Sequence, residues 1–291
     1  LPEKLGGAFL GAVMGPDEQA FARAAAAIRG ARALVVATGA GMGVDSGLPD
    51  FRGDQGFWNA YPMYERLGLS FVDAANPDHF DDDPAFGWGF YGHRLHLYRE
   101  TVPHDGYGIL RSWMEDLGLP AFAVTSNVDG QFQKAGFDPA LVHEVHGSIQ
   151  HLQCTTPCSE EIWECSEEVP VDLTTMRAER LPACRNCRRV ARPNILMFGD
   201  GAWLPGRSSQ QGRRFEAFLE EHGEERLAVL ELGAGTAVAT IRWITERLGR
   251  TPGSTVIRVN PREADIRAPH LGIASGALDA IRGIDRALRG R

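Results

Sequence analysis

The chain has 291 residues, 43% hydrophobic and 23% charged, with a formal net charge of -8. It is long enough for one large domain or two modest ones with a real core. The acidic balance gives no general electrostatic reason to bind nucleic acid or anionic lipid. No apolar run approaches the roughly 20 residues of a membrane helix. The opening "LPEKLGGAFLGAVMGPDEQ" shows no basic leader before a long apolar core, so a cytoplasmic protein is expected.

In chain order, "DEQAFARAAAAIRGA" reads as a helix and "ALVVAT" from Ala33 as a buried strand, running into a turn with Gly39, Ala40 and Gly41. Residues 54–106 are rich in aromatics and histidines, with "PMYERLG" and "FGWGFYGHRLHLYRE" helical. The helix "YGILRSWMEDLG" then leads to strands "AFAVTS" from Ala121 and "LVHEVHG" from Leu141. Residues 149–191 hold all five cysteines. Beyond them come strand "NILMFG" from Asn194, helix "GRRFEAFLEEHG", strands "LAVLELG" from Leu227 and "TVIRVN" from Thr255, and helix "GALDAIRGIDRALRG". Continuous apolar strands alternating with helices predict an α/β fold, a doubly wound, mostly parallel Rossmann-like sheet with ligands at its carboxyl edge. Residues 1–53, 107–148 and 192–291 are expected to form that domain. The helical insertion 54–106 and the module 149–191 are expected to form a smaller one.

Glycines at 39, 41 and 43 after a strand permit close approach of backbone to a pyrophosphate. A dehydrogenase would next need a second strand ending in an acidic residue roughly 20 positions on. The aromatic insertion stands there instead, which argues against hydride transfer. His146 lies at a strand end before Gly147, where a side chain faces ligand, and period 2 puts it opposite His143. Asn127 and Asp129 after the second strand offer hydrogen-bond donors and acceptors for a ligand, or else cap a turn. Gly233, Gly235 and Asn260 end the fifth and sixth strands. Cys154-x3-Cys158 and Cys184-x2-Cys187 suit a closed tetrahedral Zn²⁺ site. Cys165 is left over and could displace Cys158.

"GAGMGVDSGLPDFRG" resembles the NAD-binding signature of the sirtuins, the NAD-dependent protein deacylases. So do "TSNVDGQFQKAG", "VHGSI", the paired cysteines, "RPNILMFGD", "LGAGTAV" and "VNP", in the family's order over roughly residues 30 to 285. The resemblance implies a protein-lysine deacylase that transfers the acyl group to ADP-ribose and releases nicotinamide. An NAD-dependent mono-ADP-ribosyltransferase or NAD glycohydrolase is the alternative. By resemblance, Phe51 shields the ribose, Asp50 and Arg52 order its loop, and His146 is the base, with Asn127 beside it. Gly39, Ala40, Gly41, Ser126, Asn127, Asp129, Gly233, Gly235 and Asn260 become cofactor contacts, and Phe198 and Gly199 line the substrate groove. Tyr91 and Arg94, three apart on one helix, resemble the pair that holds the acyl carboxylate in desuccinylating sirtuins. The partners implied are acylated protein lysines, with neither nucleic acid nor membrane. Departures from the family pattern fall at Gly43, Ser126, Phe132 and Asp200, the last followed by an extra "GAW".

Overall fold

The computed structural model describes residues 15–49, 53–224 and 226–290. Helix α1 (Pro16–Arg29) precedes strand β1 (Ala33–Thr38), and two short 3-10 turns follow, Ala40–Met42 and Val44–Ser46. Helices α2 (Gly53–Ala60), α3 (Pro62–Arg66), α4 (Phe71–Ala74), α5 (His79–Asp82) and the long α6 (Pro84–Glu100) form the helical insertion. Then come α7 (Asp105–Asp116), β2 (Ala121–Thr125), α8 (Gln131–Lys134) and β3 (Val142–Glu144). The cysteine module spans β4 (Gly147–Cys154), β5 (Trp163–Glu164), β6 (Val171–Asp172), β7 (Arg177–Ala178) and β8 (Ala191–Ile195). Helix α9 (Gly206–His222), β9 (Leu227–Leu232), α10 (Thr240–Leu248), β10 (Thr255–Val259), β11 (Leu271–Ile273) and α11 (Ala277–Arg289) complete the chain.

Six strands form one sheet in the order β11-β10-β9-β1-β2-β3, and every pairing in it is parallel. Strands β1, β2 and β9 are buried along their whole length, as a sheet covered on both faces requires. Alternate residues feed opposite cores. Leu34 and Val36 pack with Ala24, Ile28, Leu110 and Ile281 on one face, Val35 and Ala37 with Phe215, Phe218 and Ile241 on the other. The chain runs outward through β2 and β3, then returns to β9 and leaves the other way. The direction therefore switches between β1 and β9, which places the ligand crevice at their carboxyl ends.

Two expectations need correction. "NILMFG" does not enter the parallel sheet: the strand there is Ala191–Ile195, antiparallel to β4 in a separate three-stranded sheet. The sixth parallel strand is instead the short β11, a three-residue element at the sheet edge.

A third core gathers Phe57, Tyr61, Tyr64, Trp88, Phe90 and Tyr91 of the helical insertion with Leu152, Trp163, Val169 and Met176 of the cysteine module. Helix α6 meets the β6–β7 hairpin so closely that a Cβ on Gly89 would lie 1.7 Å from the Met176 carbonyl oxygen. Arg177 of that hairpin forks Asp83 at the helix start, both hydrogen bonds 2.7 Å long.

Candidate functional site

The crevice is built by packing one glycine turn on another. Gly39 donates its amide to the Leu232 carbonyl and Gly41 to that of Gly233, each at 3.0 Å. Gly233 has φ of 63°, and a Cβ there would lie 2.4–2.5 Å from the backbone of Gly41 and Met42. Absence of side chains therefore brings the ends of β1 and β9 into contact, before any ligand is considered. Beside them lies a cleft of about 110 Å³ lined by Gly41, Val44, Asp45, Gly233, Arg262 and Ser275, among others. Asp45 reaches across to accept the Leu278 amide of α11 at 2.9 Å. Asp50, Phe51 and Arg52 lie outside the described residues.

The β1 and β2 ends are tied through their threonines, Thr38 Oγ1 to Thr125 Oγ1 at 2.8 Å. Ser126 donates its amide to the Thr38 carbonyl at 3.0 Å. Asn127 Nδ2 donates to the Gly39 carbonyl at 3.1 Å, and its amide to Thr125 Oγ1 at 3.0 Å. The carboxamide is thus braced against the glycine turn. Asp129 is buried and accepts the Gln131 amide at 2.9 Å. Burial raises its carboxyl to about 6, with Glu144 adding to the rise and the Gln131 amide opposing it.

His146 follows β3, half-buried, with Nε2 3.3 Å from Thr240 Oγ1 at the start of α10. Burial holds its pKa below the ordinary histidine range, against the Ser126 backbone, which favours the protonated ring. A neutral imidazole at pH 7 follows. His143 points elsewhere, toward Ser208 Oγ and the Phe215 ring, as the opposite-face argument requires.

The β9–α10 turn holding Gly233 and Gly235 is fixed by Arg242 and Glu263, which local sequence did not single out, and by Asn260, which it did. Arg242, 7% exposed, donates to the carbonyls of Ala234 and Glu263. Glu263 in turn accepts from the Thr236 amide and hydroxyl. Asn260 is fully buried: Nδ2 donates to Ala234, and Oδ1 accepts the amides of Arg262 and Glu263. Its side chain shapes the turn. The helical spacing of "TIRWITERL" was the available signal for Thr240 and Arg242. His104 was equally unmarked, yet its ring contacts the Met42 carbonyl at 2.9 Å and accepts the Gly106 amide.

Tyr91 and Arg94 sit on α6, buried in the third core. Arg94 Nε donates to Tyr98 Oη at 2.9 Å, and Nη2 also reaches that oxygen. Its guanidinium lies 5.0 Å over Phe90 and 5.2 Å over Tyr98. Tyr91 packs on Phe80 and Phe90. Phe198 is half exposed, its ring 6.0 Å from Phe71 and its amide directed to the Ala75 carbonyl. Gly199 turns with φ of 71°. Asp200 is no surface residue. It forks Arg192 at 2.7 and 2.8 Å with both side chains almost wholly buried, and caps the Met197 and Ala202 amides.

The four sulfurs of Cys154, Cys158, Cys184 and Cys187 lie within 4.8 Å of one another. Cys154–Cys187 and Cys158–Cys184 are each 3.6 Å apart, close to the roughly 3.8 Å edge of a tetrahedron with 2.3 Å Zn–S bonds. The donor set fits a structural zinc. Cys165 is outside it, buried with its sulfur toward the Glu167 carbonyl, so it does not displace Cys158.

A parallel sheet with paired glycine turns, a neutral histidine at its carboxyl edge and a four-thiolate module defines a nucleotide-binding, zinc-stabilised class of protein. Residues 39–213 match the sequence model of the Sir2 family. The chain is 30% identical over 234 residues to an NAD-dependent protein deacylase of Aquifex aeolicus, covering 80% of this chain and 85% of that one. It is 31% identical over 229 residues to an NAD-dependent protein deacylase of Pyrococcus abyssi, covering 79% and 82%. A solved Sir2 homologue in complex with NAD superposes with a TM-score of 0.71 at 25% identity, over 95% of each chain. The chain belongs to the Sir2 family.

Proposed function

We propose that this Sir2-family enzyme removes acyl groups from protein lysine side chains with NAD as co-substrate, at the carboxyl ends of β1, β2 and β9. The observation that carries the reading is Asn127 braced on Gly39 of the paired glycine turns, with His146 beside the Ser126 backbone and the start of α10. The glycine turns at Gly41 and Gly233, which border the cleft, present bare backbone there, the close approach that a pyrophosphate needs. When bound, NAD supplies an activated ribose carbon that accepts the acyl oxygen as nicotinamide leaves.

The chain's own residues then divide the work. Gly39, Ala40, Gly41, Gly233 and Gly235 present backbone to the phosphates, with Asn260 holding the second turn in shape. Asn127, braced on Gly39, keeps Oδ1 for a ribose hydroxyl or carboxamide, with Ser126 and Asp129 alongside. His146, neutral near pH 7, takes a ribose hydroxyl proton at a ring nitrogen. Phe198 and Gly199 border the peptide groove. By resemblance Tyr91 and Arg94 belong to the acyl pocket; the Arg94 guanidinium, held on Tyr98 in the aromatic core, would fork a terminal carboxylate that reached it, and turnover of succinyl-lysine beside acetyl-lysine is the expected outcome. Zinc holds the cysteine module together, since four thiolates leave no open position.

Incubation with NAD and acyl-lysine peptides, read by mass spectrometry, tests this. O-acyl-ADP-ribose is the expected product, and His146→Ala should lower its formation by about 10²–10⁴-fold while NAD still binds. ADP-ribosylated protein or free ADP-ribose alone would replace this reading with the transferase or glycohydrolase one. No turnover of NAD would remove both.

A further inference from the structure

The contact between His146 Nε2 and Thr240 Oγ1, 3.3 Å across the crevice from β3 to α10, joins two segments 94 residues apart in the chain. We propose that Thr240 is a positioning residue for His146, its hydroxyl oxygen accepting from Nε2–H so that the neutral ring carries its lone pair on Nδ1, and keeping that orientation once Nδ1 has taken the proton. The inference rests on the reading of His146 as the base.

A threonine hydroxyl can do this because its oxygen accepts while its own proton turns away. In the neutral ring Nε2–H donates to Thr240 Oγ1, which leaves the Nδ1 lone pair to take the proton. In the imidazolium Nε2–H donates to the same oxygen, so the ring need not swing as the proton moves. The backbone of Ser126 also favours the protonated ring.

The surroundings leave the hydroxyl in this role. Thr240 is the first residue of a nine-residue helix, whose amino end disfavours a cation beside it, so the ring rests neutral. Charged side chains on the flanking segments are engaged elsewhere: Glu144 with Arg207, Asp129 with the Gln131 amide, and Arg242 with Ala234 and Glu263. Arg242 also anchors the helix start to the β9 turn, so the hydroxyl is carried on a fixed element.

Three measurements on the zinc-loaded protein test the proposal. Long-range ¹H–¹⁵N NMR should show His146 as the Nε2–H tautomer, its signals assigned by their loss in His146→Ala. Thr240→Val, nearly isosteric, should lower the His146 pKa by roughly 0.5–1 unit, because a hydrogen bond to a charged group is stronger than to a neutral one. It should also lower kcat by about three- to tenfold, with KM for NAD unchanged, the modest part of an acid–base contribution that misorientation removes. Thr240→Ser, which restores the hydroxyl, should recover both. An unchanged His146 tautomer and titration in Thr240→Val overturns the proposal, even if kcat falls, since the loss is then structural. Wild-type turnover by His146→Ala overturns the base reading itself, a separate failure.

Discussion

Replacing Gly233 by alanine tests whether the crevice depends on backbone contact between two glycine turns. At φ of 63° an L-residue costs about 1 kcal/mol or somewhat more. The added Cβ would also sit 2.4 Å from the Gly41 carbonyl carbon and 2.5 Å from its Cα, where carbon atoms normally stand about 3.5–4 Å apart. The turns must part by about 1 Å, loosening the Gly41-to-Gly233 and Gly39-to-Leu232 hydrogen bonds, worth about 1 kcal/mol each. The expected total is about 3 kcal/mol. Gly47→Ala is the control. Its φ is 84° with nothing within 4 Å of an added Cβ, so only the cost of about 1 kcal/mol for the left-handed backbone remains. Urea denaturation of the zinc-loaded protein gives the stabilities. Calorimetric titration with NAD should show affinity falling by up to about 100-fold in Gly233→Ala, if NAD selects the closed turns. Equal destabilisation by both substitutions, or unchanged NAD affinity in Gly233→Ala, would refute the reasoning.

Cys158→Ser should lose zinc and the fold of the cysteine module, because metal affinity there is folding free energy; Cys165→Ser should keep one zinc per chain by elemental analysis, and the reverse pattern would exchange their roles. Arg94→Met should depress desuccinylation selectively, by about 1.5–3 kcal/mol in kcat/KM; equal loss on acetyl- and succinyl-peptides would make Arg94 purely structural. Asp200→Ala should destabilise by about 3–5 kcal/mol, since it strands the buried Arg192 guanidinium, and a melting temperature near that of the parent would count against the ion pair. Stability should also fall as pH drops from about 6.5 toward 4. Burial lowers His143 and His151 to about 4, so the unfolded chain binds more protons there; Asp129, raised to about 6, acts in the opposite sense but is one group against two. Thermal melts across that window that rise toward acid would reverse the balance.

The central strands were legible because continuous apolar runs of five or six residues leave few alternatives once helices flank them. β11 was not, because three residues carry too little pattern. "NILMFG" misled for the opposite reason: an apolar run reports burial, and a strand buried in a small antiparallel sheet reads like one in the parallel sheet. The cysteine spacing narrowed the metal site, but only the folded module, in which the Cys165 sulfur points to the Glu167 carbonyl, excludes Cys165. For the glycines, sequence located the turn and missed its cause, since the neighbour that forbids a side chain at Gly233 lies nearly two hundred residues away. Asn260 and Asp200 show the same limit. Residue type announced polar chemistry at both, and their partners are carbonyls, amides and a guanidinium within the chain. The His146–Thr240 contact depends on where α10 starts, which no local pattern fixed.

The seating of α6 on the β6–β7 hairpin has a consequence for how this molecule could be re-engineered or could diverge. Gly89 leaves no room for a side chain against Met176, and Arg177 is clamped to Asp83, so neither surface is generic. A graft of the helical insertion from a relative, made to import a different acyl preference, would arrive without its matching hairpin and meet a foreign ridge. The two segments, interrupted in the chain by β2 and β3, behave as a single heritable part. Successful chimeras should be those that exchange both together.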